Sequence, residues 1–135
     1  MKLQSDLVSV NSPISNVFDF LKDTRNIYHL LPQDKISDWK SDELSCSFKV
    51  QGGILIPFEQ ISVEEPTQIN LKSGKNAPFP FDLTIFLEDK GELTEGYLLF
   101  EGKVNMFLKM MIESPLDHLF NLMAQNLKNH YESES

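Results

Sequence analysis

One cysteine, three histidines and a scatter of carboxylates are the side chains of this 135-residue chain whose types do chemistry. Cys46 stands alone, so neither an internal disulfide nor a four-cysteine zinc site can form. It lies in an alternating run, where a cysteine is ordinarily a small buried apolar residue. A nucleophile would need a neighbouring base and a lowered pKa, and the sequence offers neither. His29, His118 and His130 lack the cysteine or paired-carboxylate spacing of metal sites, so no metal is expected. Tyr28-His29 falls at a break between helical turns, either at a cavity mouth or at a solvated corner. Acid–base work needs a carboxylate in an apolar interior with a raised pKa. Glu59 and Asp82 qualify only if strand register turns them inward, and both alternate with apolar neighbours, so outward is expected. Asp42-Glu43 and Glu64-Glu65 fall in turns. No catalytic set and no cofactor motif emerges, so cofactors are expected to be none, and whether the protein is an enzyme stays open.

Composition narrows the rest. An apolar fraction of 41% against 24% charged is that of a globular protein, which excludes extended disorder. The length fits one domain over residues 1–135 with one core. A formal charge of −8 disfavours nucleic acid and anionic membranes as main partners. The first residues lack the apolar run of a secretory signal, and no stretch is long and apolar enough to span a membrane. A cytoplasmic location is expected by default.

Periodicity gives the elements that must position these residues. Segment 3–11 alternates and is predicted to be a first strand. Ser12-Pro13 then has the pattern of a cap followed by a first-turn proline. Ile14, Val17, Phe18 and Leu21 make one apolar helix face. A second helical turn over Ile27–Leu31 is stopped by Pro32. From residue 36 to about 106 the period becomes two, in short strands at hairpin spacing, which means an antiparallel meander. Gly52-Gly53 and Asp89-Lys90-Gly91 are its clearest turns. Pro57 implies an edge or a bulge in its strand. Leu93 to about Met106 is predicted as the last strand. Ser114-Pro115 repeats the cap signal, and Leu116, Leu119, Phe120, Met123, Ala124 and Leu127 form a stripe at helical spacing. The prediction is an α+β helix-grip fold: about seven strands in a curved antiparallel sheet around a long C-terminal helix, with two short helices after strand one.

This arrangement resembles the START or SRPBCC superfamily, which has the birch pollen allergen fold. The resemblance rests on Val8-x-Val10-x-Ser12-Pro13-x-x-x-Val17-Phe18-x-Phe20-Leu21, on the helix break from Asn26 to Pro32, and on the closing run from Phe107 to Leu127. It is similar above all to two groups, the polyketide cyclase/dehydrase-like proteins and those like the G subunit of carbon monoxide dehydrogenase. Only Gly52-Gly53 remains of the longer glycine-rich loop of the allergen branch. The resemblance implies a cavity between sheet and helix for a small hydrophobic molecule such as a lipid, polyketide or aromatic. Its candidate lining is Phe48, Phe79, Phe81, Leu83, Ile85, Tyr97, Met106, Met110, Leu116, Leu119, Phe120, Met123 and Leu127. Pro78-Phe79-Pro80-Phe81 either gates that cavity or plugs the end of the sheet. Three functions remain side by side: a carrier of such a ligand, a cyclase- or dehydratase-type enzyme acting on it, and a protein-interaction module with a closed interior. The enzyme would need His29, Tyr97, Glu59 or Asp82 turned inward. The oligomeric state is open.

Overall fold

A computed structural model describes residues 1–132. In chain order it has β1 (Lys2–Gln4), β2 (Val8–Val10), α1 (Ile14–Lys22), a 3-10 helix (Thr24–Leu30), β3 (Ser37–Ser41), β4 (Ser45–Val50), β5 (Ile54–Glu64), β6 (Gln68–Ser73), β7 (Phe81–Lys90), β8 (Leu93–Gly102) and α2 (Met106–Glu132). The eight strands among the described residues form one antiparallel sheet in the order β1-β8-β7-β6-β5-β4-β3, with β2 also on β8. This is the helix-grip architecture. Period-two alternation puts Phe48, Phe58, Ile69, Leu83 and Phe100 on one face, all fully buried. α2 covers that face with Leu116, Phe120, Met123 and Leu127, and one continuous core results.

Four local expectations are corrected. The first strand is two, which raises the count from seven to eight. Gln4 pairs Leu99 and Val8 pairs Gly96, so three residues on one side face two on the other, the signature of a bulge. The buried Ser5 hydroxyl mends the ladder there by accepting from the Leu98 amide at 2.8 Å. Ser12 does not cap α1. Pro13 occupies the cap position, with no side-chain cap. Ser12 is buried at the end of β2 instead: its Oγ accepts from Asn16 Nδ2 at 3.2 Å, and its carbonyl accepts from the buried Thr94 hydroxyl at 2.8 Å.

Pro57 sits in β5, which is an interior strand between β4 and β6 and not an edge; the bulge, the alternative expectation, lies farther along β5, as a register shift between Gln60 and Ser62. It is tolerated because β6 ends at Ser73, the partner of Phe58. Past that end Pro57 only has to accept, and its carbonyl takes the Gly74 amide at 2.9 Å. A side chain at Gly74 would be tight, its Cβ 3.2 Å from Pro57 Cβ and 3.3 Å from Glu59 Cγ. Finally, the C-terminal helix does not begin at Ser114-Pro115. β8 stops at Gly102, and α2 starts at Met106 with Pro115 inside it. Its cap is Asn105, whose Oδ1 accepts from the Leu108 amide at 2.8 Å.

Candidate functional site

The apolar space between the sheet and α2 is the site that the fold builds. Most of it is filled by rings. Phe58 and Phe81 lie 5.4 Å apart between centroids, Phe81 and Phe100 5.2 Å, and Phe100 and Phe120 4.9 Å. Phe79 closes the end of this row against Phe81 at 5.5 Å. It packs over Gly102, where a Cβ would meet its ring at 2.8 Å. The Pro78–Phe81 loop is therefore a plug in this structure.

Toward the other end of α2 the filling is less complete. A void of about 10 Å³ lies among Val8, Leu21, Leu30, Ile85, Met123 and Leu127. Space of that size holds about one water molecule, well short of a ligand. It lies beside Gly96, an inward-facing position of β8 that has no side chain; Gly96 is buried and borders the void. A glycine inside a strand can signal such a spot, but Gly96 was not among the residues expected to line a cavity. Leu21 and Leu30, which also border the void, were legible only as helix-face residues.

Of the residues expected to line a cavity, Ile85, Met123 and Leu127 border the void. Phe48, Phe79, Phe81, Leu83, Leu116 and Phe120 are packed core. Leu119 lines a separate outer groove of about 100 Å³ with Pro32, Ile36, Val50, Pro115 and Leu122. Tyr97 also borders the void, while its ring stacks on Phe86 at 5.0 Å on the other side of the strand. Two placements are corrected. Met106 and Met110 are 72% and 79% exposed, because they share the outward face of the first turns of α2 while Leu108 and Ile112 turn toward the core.

The groups on which acid–base chemistry would depend stay out of this interior. His29 and Asp82 are exposed. Glu59 pairs across the sheet with Lys72, and Lys72 with Asp82, which places all three on the outer face. Cys46 is buried, and burial pushes its thiol up to about 12, with the Asp42 charge adding to the effect. A thiol held protonated is no nucleophile at neutral pH. No group of three or more metal-ligating side chains occurs among the described residues, and no described helix is long and apolar enough to cross a membrane.

With this geometry in view, the comparisons with known proteins are informative. The family model for CoxG, the G subunit of carbon monoxide dehydrogenase, matches residues 7–134. No curated protein is matched by the sequence. Among solved structures, the protein XoxI from Bacillus cereus superposes with a TM-score of 0.75 at 11% identity, covering 98% of this chain and 96% of that one. A START superfamily protein from Mycobacterium smegmatis gives 0.69 at 15% identity, covering 99% of both chains. The di-domain ARO/CYC BexL from the BE-7585A biosynthetic pathway gives 0.71 at 12% identity, over 98% of this chain and 46% of that one. Likeness at such identity shows the fold alone, the START type.

Proposed function

We propose that this chain, which belongs to the CoxG family, binds and carries a small hydrophobic molecule between its sheet and α2. The observation that carries the reading is the imperfectly filled, apolar end of the interior. The void beside Gly96 is bordered by Leu21, Leu30, Ile85, Met123 and Leu127, and Leu119, one helical turn before Met123, lines the outer groove. A ligand enters an interior of this kind by parting side chains that are already apolar, so the opened site offers it a dry wall. The cyclase or dehydratase reading gains nothing from this chain, since His29, Tyr97, Glu59 and Asp82 all keep their polar groups away from the void.

A specific observation favours a second reading, a protein-interaction module. Met106, Phe107, Met110 and Met111 are 54–79% exposed on the first turns of α2, and contiguous exposed apolar side chains mark contact surfaces. Native mass spectrometry of the purified full chain, before and after denaturation, separates the two. Carriage is expected to appear as a retained small molecule released on unfolding. A bare-chain mass, joined to no stabilisation by any of a panel of lipids and aromatics, would overturn carriage and leave the interaction surface.

A further inference from the structure

The outer groove differs from the void in having polar side chains among its lining. It lies between the loop that follows the 3-10 helix, the β4–β5 hairpin and α2. Its floor is apolar: Ile36, Val50, Leu119 and Leu122. Its polar rim is Lys35, Gln51 and His118, and no carboxylate lines it. Lys35 makes no ion pair among the described residues. A shallower depression of about 470 Å³ continues outward over Lys35, Ile36, Val50 and Gln51. It adds Asp34 and Lys49, and Lys49 is paired with Asp38 at 3.2 Å. The groove is thus an apolar trough with a cationic and hydrogen-bond-donating lip: Lys35 offers an ammonium, and His118 offers at least one ring N–H in either protonation state.

The groove and the void share the same two walls. On α2, Leu119 lines the groove and Met123, four residues on, borders the void. Residues four apart sit on one helix face, one turn above the other. On the facing segment, Pro32 lines the groove and Leu30 borders the void. The seam between them is latched by Asn126, whose Nδ2 donates to the Leu30 carbonyl at 2.8 Å.

We propose that this groove is the mouth of the ligand site and that its occupant is a single-chain amphiphile with an anionic head, of the fatty-carboxylate class. The head meets Lys35 and His118, and the tail passes Leu119 toward Met123 and Gly96. The inference rests on the carrier reading and adds to it the ligand's charge and its route.

Calorimetric titration of the full chain with decanoate, decanol and decyltrimethylammonium tests it. Decanoate is expected to bind one to one and at least tenfold tighter than either of the others. Lys35→Glu with His118→Glu is expected to erase or invert that preference, while Lys35→Arg keeps it. Both residues are exposed, so these variants are expected to melt with the wild type. Leu119→Trp is expected to weaken all three probes by closing the mouth. Equal affinity for the three probes overturns the anionic head while leaving carriage intact. Failure of all three, with some other hydrophobic molecule still retained in native mass spectrometry, overturns the groove assignment alone. Failure of all three together with a bare-chain mass removes both.

Discussion

Side chains do backbone work at several points in this molecule. The Ser5 and Thr94 hydroxyls, both buried, satisfy the Leu98 amide and the Ser12 carbonyl where the ladder is interrupted. Asp23 caps the 3-10 helix by accepting from the Arg25 amide at 3.1 Å, and it holds the Arg25 guanidinium at 2.7 Å. That guanidinium keeps the Asp23 carboxyl below its ordinary range, so its small, solvent-screened contribution is present above about pH 4 and fades as pH falls through the lowered value. Cys46 is the opposite case. Its folded-state pKa is raised from 9.0 to about 12 by burial. The unfolded thiol ionises first, so the stability tied to Cys46 is whole below about pH 9 and is lost as pH climbs toward about 12. Two outcomes are expected. At about pH 8 the native protein resists a thiol reagent that labels it fully in denaturant. Between about pH 9 and about 12, Cys46→Ala loses stability less steeply than wild type in denaturant titrations. Rapid labelling of the native protein would show that the thiol is reachable and that the burial argument is wrong.

Elements were legible from sequence wherever one period ran unbroken and illegible where a proline or a cap stood in for it. The alternation of Phe81 to Leu87 and the stripe from Leu116 to Leu127 lie in β7 and α2 as expected. Ser114-Pro115 has the same letters as a helix start, yet it lies inside α2, because the residues before it, Met106–Glu113, are equally good helix formers and Asn105 caps them. Pro57 reads as an edge or a bulge because a proline cannot donate; here β5 is interior, its bulge lies at Gln60–Ser62, and the neighbouring strand has already ended beside Pro57. The candidate site was harder still. Its walls come from inward positions that alternation does locate, such as Ile85, but the 3-10 helix and Gly96 complete it only through tertiary packing. Pro115 carries a consequence of its own. A proline in a helix interior removes one backbone hydrogen bond and costs about 3 kcal/mol relative to alanine. Pro115→Ala is therefore expected to raise the denaturation midpoint by several degrees in a thermal melt followed by circular dichroism. No rise would mean that the helix already relaxes around the ring.

On the scale of the whole molecule, a closed interior and a carrier function are compatible only if the closed form is one of two states. The apparent affinity of a ligand then falls by the fraction of molecules that are open. Anything that empties the apolar end of the core in advance tightens binding even as it weakens the fold. Met123 is the residue to cut. It is 1% exposed, it borders the void, and truncation of such a side chain costs about 2–5 kcal/mol. Met123→Ala is expected to lower the melting temperature and at the same time to bind the neutral dye Nile red more tightly than wild type, by roughly threefold or more in a fluorescence titration. Phe58→Leu provides the control. Phe58 lies in the ring-filled part of the core, so its truncation is expected to lower stability without the gain in affinity. The exposed Met106, Phe107, Met110 and Met111 are untouched in both variants, so a dye adhering to that surface would respond to neither. If Met123→Ala loses stability and gains no affinity, the space beside Gly96 is only a packing defect, and the surface at the start of α2 becomes the better account of what this protein does.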